Sequence, residues 1–165
     1  MTTEQPTSVA HIREQRKALQ AEEDAISFVR RLAQGRLDLL QDEKRRRASG
    51  ADMPVGTLAE RLADVFGQQV GGGSARPPRE TNVSSDHPLV KELDDMCEHY
   101  QFESLENLDD RAVSELEDAL GMFEKTCSKM RHDLFERIDE LTVALVQSVR
   151  ASGAGSVVQD AAQEK

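Results

Sequence analysis

Residues 22–40 read EEDAISFVRRLAQGRLDLL and place Glu23, Ser27, Arg30, Gln34 and Asp38 at spacings of 4, 3, 4 and 4. At about 100° per residue these five fall within ~80° of arc on a helix. A carboxylate, a hydroxyl, a guanidinium, an amide and a second carboxylate would therefore share one edge. Residues 124–139, EKTCSKMRHDLFERID, repeat the pattern with Glu124, Ser128, Arg131 and Asp139 at the same offsets. These groups suit binding rather than bond-making. A carboxylate accepts the N1–H and N2–H donors of guanine, while an arginine fork meets its N7 and O6. Arginine also pairs with phosphate and stacks on flat bases. A doubled patch of acids and arginines suits a ligand that is itself two-fold and carries guanine and phosphate. The plainer reading is that Glu, Arg, Gln and Asp three or four apart are the flanking salt-bridge positions of a coiled coil. A second stripe with four of the five residue types in register weighs against that reading.

The elements that carry the stripes are two long helices. Ile12, Leu19, Ile26, Ala33 and Leu40 recur every seven residues, with Val29 and Leu37 filling in, which predicts a helix over about 11–48. Residues 44–47, KRRR, lie in its last turns, where cations suit the negative end of the helix dipole, and Ser49-Gly50 is its stop. Val113, Leu116, Leu120, Phe123, Cys127, Met130 and Leu134 alternate steps of three and four, and Ile138, Leu141 and Leu145 continue the row. This predicts a second helix over about 109–150 with a coiled-coil seam. Two short helices are expected between them. One spans about 58–66, with Thr57 and Glu60 as a capping box and Gly67 as its end; the other spans about 88–100, with Pro88 in its first turn. The stretch at 67–85 is rich in Gly, Pro and Ser and reads as a disordered linker, and residues 1–10 and 151–165 read as flexible tails. Residues 11–150 thus form one all-α domain, an antiparallel two-helix coiled-coil hairpin with one or two short connecting helices.

Both stripes lie beside their seams, at the same angle and hand. Antiparallel packing keeps them on one broad face, whereas parallel packing would send them to opposite faces. Arg30 and Arg131 also lie at similar distances from the connecting segment, so the stripes should meet near mid-hairpin as one patch with approximate two-fold symmetry.

Composition supports paired helices over a thick core. Only 38% of residues are apolar and 4% aromatic, with no Trp and one Tyr, while 32% are charged. The net charge of −10 is uneven: residues 11–50 hold ten Lys/Arg against seven Asp/Glu, and residues 86–150 hold seven against seventeen. An acidic second half does not suit a nucleic-acid backbone and does suit a basic partner such as a DNA-binding protein. Cys97 and Cys127 lack CxxC spacing and read as small buried hydrophobes of a reduced, cytoplasmic chain. No run approaches the ~20 apolar residues of a membrane span. Catalysis has little to stand on. Residues 71–73, GGG, lack the Lys-Ser/Thr of a phosphate loop, and there is no nucleophile motif or HExxH. His11, His87, His99 and His132 are scattered and read as exposed helix residues; Asp94-Asp95 and Asp109-Asp110 read as turn and helix-start residues.

The pattern E-x3-S-x2-R-x3-Q-x3-D, intact from Glu23 to Asp38, resembles the cyclic-di-GMP-binding signature of the RsiG family of anti-sigma factors from sporulating actinobacteria. The near-copy on the last helix departs from it at Phe135, where the signature has Gln; an apolar or stacking contact with a base is the natural substitute. The resemblance implies one signature on each helix of an antiparallel pair. It also implies a dimer of cyclic di-GMP as regulatory ligand, two molecules per chain, and capture of a WhiG-type sporulation sigma factor by the liganded protein. The implied ligand residues are Glu23, Ser27, Arg30, Gln34 and Asp38 with Glu124, Ser128, Arg131 and Asp139; no catalytic cofactor and no metal are implied. A structural coiled-coil adaptor whose charged edges are only solvated is the alternative. Because both copies lie in one chain, the ligand-binding unit is expected to be a monomer before it meets a sigma factor. Light scattering on the purified chain checks this, and an obligate homodimer would contradict it.

Overall fold

The computed structural model of the chain describes residues 8–50, 56, 58, 60–62 and 87–163, with side chains followed to Ala151. All regular structure among them is helical: α1 (Val9–Ser49), α2 (Pro88–His99), a six-residue 3-10 helix (Phe102–Asn107) and α3 (Asp110–Gln163). The long N-terminal helix packs against the long C-terminal one as an antiparallel hairpin. Partners on α3 fall in number as α1 advances, from Arg30 with Glu124 through Lys44 with Glu117 to Arg47 with Asp110.

The helix ends follow from local chemistry. Ser8 Oγ accepts from His11 N–H at 3.2 Å, so α1 is capped and begins slightly earlier than about 11. Gly50 closes it in the left-handed region, φ 65°, a conformation that costs other residues more. Pro88 opens α2, and His87 Nδ1 accepts from Leu89 N–H at 3.3 Å, so this histidine is a cap rather than an exposed helix residue. Asp109 Oδ1 accepts from Ala112 N–H at 2.7 Å and caps α3. Asp94 and Asp95 lie inside α2, paired with Arg36 and Lys91, and not in a turn. α3 passes Arg150 and runs to Gln163. That stretch holds no proline, and a glycine weakens a helix without ending it. Of the short helix expected at 58–66, residues 58 and 60–62 are helical. Thr57, Val65, Phe66, Gly67 and the linker at 67–85 lie outside the described residues.

The chain divides into two compact units, Asp24–Met130 and Met1–Glu23 with Arg131–Lys165. In the first, the seam residues Ile26, Val29, Ala33, Leu40, Val113, Leu116, Leu120 and Cys127 are buried as the heptads predict. Its core is thicker than two helices give, because Leu93 and Cys97 of α2 and Phe102 and Leu105 of the 3-10 helix are buried too. Arg36 ties α2 to α1 by donating to Leu93 O at 3.2 Å, Cys97 Sγ at 3.3 Å and Asp94 Oδ1 at 2.6 Å. In the second unit Ile12, Leu134 and Ile138 are buried, and Leu19, Leu141 and Leu145 are half-buried.

One acid closes the first unit. Glu43, 1% exposed, accepts from Arg46 Nη2 at 2.6 Å and Nε at 2.9 Å and from Arg47 Nε at 2.7 Å. Arg47 then donates to Asp110 Oδ1 at 2.9 Å and to Leu105 O at 3.0 Å, joining α1, the 3-10 helix and α3. The Arg46 hydrogen bond, opposed by burial and aided by Arg47, holds the Glu43 carboxyl at about 2, below its ordinary 4.5. A carboxyl depressed by folding stabilises the fold above its unfolded value, and that stability is lost as pH falls from about 4.5 toward 2. Glu43→Gln should therefore lower stability at neutral pH by about 1.5–3 kcal/mol and show a smaller loss on acidification than the unaltered chain. Denaturant unfolding at pH 7 and pH 3 checks it; equal acid sensitivity would remove Glu43 as the cause.

Candidate functional site

The seam decides which stripe residues meet. In the unit Asp24–Met130, Glu124 is a hub: its Oε1 accepts from Arg30 Nη1 at 3.0 Å, Gln34 Nε2 at 3.1 Å and Ser128 Oγ at 3.1 Å. Arg30 and Glu124 side chains are 25% and 20% exposed, so the pair is reachable from solvent without being fully solvated. Arg30 Nε is buried and finds no acceptor among the described residues. In the other unit, Arg131 Nε donates to Glu23 Oε1 at 2.9 Å, and the Arg131 guanidinium carbon lies 5.4 Å from the centroid of the Phe135 ring. That distance is within the range of a cation–π contact. Each ion pair joins the arginine of one copy to the first glutamate of the other.

The remaining predicted residues are placed less centrally. Ser27 and Asp38 are half-buried on α1 and both have polar partners; the Ser27 carbonyl accepts from Arg31 Nε at 3.2 Å. Asp139 is exposed on α3 beside Glu136 and Glu140. Phe135 is 44% exposed, and its ring lies near the Arg131 guanidinium at the position where the signature has Gln. The sequence does carry a signal for that contact, since Arg131 and Phe135 are four apart on one helix.

Part-exposed ion pairs of this kind contribute about 0–1 kcal/mol to stability. The buried, unsatisfied Arg30 Nε works against stability. The cluster is thus poorly explained as a device for holding the helices together. Donors and acceptors of these kinds are chemically suited to guanine-like N–H groups and anionic oxygens.

The cysteines do not compete for a functional role. Burial, then the charges of Glu92 and Glu124, push the Cys127 thiol up to about 11, and burial raises Cys97 as well. Neither supplies a thiolate nucleophile at neutral pH. Among the described residues no group of three His, Cys, Asp or Glu is placed to hold a metal ion, and no helix is long and apolar enough to cross a membrane.

The two long helices pack antiparallel, each with a charged stripe beside its seam. Residues 5–65, which contain the intact stripe, match the RsiG family model, described as RsiG-like, so over this segment the chain is similar to that family. That likeness suggests an anti-sigma-factor role with a sigma factor as partner. No curated protein and no solved structure matches the chain.

Because neither ion pair is fully buried, Glu124→Ala and Arg131→Ala should each keep the helical circular-dichroism signal and cost no more than about 1 kcal/mol in urea unfolding. Loss of helicity in either variant would make its pair a structural element first.

Proposed function

We propose that the chain is an anti-sigma factor that binds a dimer of cyclic di-GMP through the two stripes and, so liganded, sequesters a sporulation sigma factor of the WhiG type, repressing its transcription. The reciprocal pairing of Arg30 with Glu124 and Arg131 with Glu23 carries this reading. Each glutamate orients an arginine; the terminal N–H groups of Arg131 suit a guanine Hoogsteen edge or a phosphate, and Nη2 of Arg30 offers a single further donor. The other acids, Asp38 and Asp139, would receive guanine N–H donors, with Ser27, Ser128 and Gln34 as neutral contacts. Two cyclic di-GMP molecules per chain follow from the resemblance of the signature. The acidic second half, seventeen Asp/Glu against seven Lys/Arg over residues 86–150, suits a basic DNA-binding partner.

One observation favours the adaptor alternative: both arginines pair with carboxylates of the facing helix, as the flanking positions of a plain coiled coil do. Ligand uptake separates the two readings. Calorimetry with cyclic di-GMP should show saturable binding by the purified chain. Arg30→Ala or Arg131→Ala should cost on the order of 1.5–3 kcal/mol of it, the range for hydrogen bonds to charged groups. That is roughly 10- to 150-fold in affinity. If the ligand favours the capture-competent state, co-purification of the sigma factor should weaken in parallel. Unchanged affinity in both arginine variants, with the fold intact, would remove the site.

A further inference from the structure

Resting on the cyclic di-GMP reading above, we infer that Phe135 is the platform that presents Arg131, and that the imperfect second stripe is the stronger guanine-gripping half. A two-bond grip on a guanine edge or a phosphate needs two adjacent N–H groups of one guanidinium pointing the same way. Arg131 meets this condition. Its single hydrogen bond, to Glu23, uses Nε, and its two terminal nitrogens donate to nothing among the described residues. The Phe135 ring lies against the guanidinium and limits its rotation without occupying any N–H.

Arg30 is held differently. Glu124 takes Nη1, which breaks up the terminal pair, and Nε is buried, so the edge formed by Nε and Nη2 is not open to a ligand either. Gln34, the amide that the signature prescribes, donates to the same Glu124 oxygen as Arg30. In this copy the amide serves the carboxylate and leaves the arginine no freer. In the second copy a ring cannot make that bond, and its flat face stacks on the guanidinium instead. The departure at Phe135 is therefore a second way of fixing the arginine, and one that leaves the whole terminal edge available.

Calorimetric titration of the full chain with cyclic di-GMP tests the ordering. Phe135→Leu, which keeps bulk and loses the ring face, should weaken binding about two- to five-fold, the range of an exposed cation–π contact. Phe135→Tyr, which keeps the face, should retain the affinity. Phe135→Gln restores the signature yet should weaken binding as Leu does, and Arg131→Ala should lose more than Arg30→Ala. The Arg131 Nε–H resonance of the ligand-free chain reads the platform independently: its ring-current shift should vanish in Phe135→Leu and persist in Phe135→Tyr. Full affinity in Phe135→Leu, or an Arg30→Ala loss equal to that of Arg131→Ala, would overturn the inference while leaving the cyclic di-GMP site standing. No uptake by the unaltered chain would remove the site itself, and the ring's role in binding with it.

Discussion

The register of an apolar seam is the constraint on which everything else here rests. A helix rotates about 100° per residue, so a shift of one residue would swing Ile26, Val29, Ala33 and Leu40 out of the interface. With burial of Ile26, Val29 and Leu40 each contributing on the order of 1.5–3 kcal/mol, only one register is tolerable. That register brings Arg30 to Glu124 and Arg131 to Glu23. The polar pairs do not choose the fold; they are delivered by it.

This order of causes explains why the stripe can be tuned for binding. Replacing a group that contributes little to stability leaves the hairpin standing, so its chemistry is free to answer to a ligand. A hub oxygen with three donors, a buried guanidinium nitrogen without an acceptor and an exposed aromatic ring are poor choices for a supporting strut. They are reasonable choices for a surface that must hold polar groups in fixed directions and still accept more bonds.

The end of the hairpin near Glu43 obeys the opposite logic. There a carboxylate is sealed from water and fully engaged by Arg46 and Arg47, and Arg47 reaches on to Asp110 and the Leu105 carbonyl. Buried charge is tolerable only when paired and hydrogen-bonded. The basic run at residues 44–47 therefore does more than complement a helix dipole: it satisfies an acid and fastens α1 to the start of α3. Together with Arg36 on α2, it builds the thicker core of the Asp24–Met130 unit.

The amino-acid sequence by itself determined the two long helices and their seams, because a seven-residue apolar repeat is a local pattern, and the antiparallel sense followed from two helices of such length in one chain. It also determined which residues lie in the stripes, since position on a helix edge follows from spacing alone. It did not reveal the burial of Phe102 and Leu105 or the 3-10 turn that carries them, because that short segment has no periodicity to read. Nor did it reveal that Glu43 is sealed, that Asp94 and Asp95 lie within α2, or that the helix continues beyond Arg150. Packing decides the first two: Arg46 and Arg47 close over Glu43, and Arg36, fifty-eight residues away in sequence, holds Asp94. Most of all, spacing could not tell which acid an arginine answers to. Arg30 has no acid three or four residues away on its own helix and pairs with Glu124, ninety-four residues away. Only the packed seam makes that carboxylate near enough and dry enough to win.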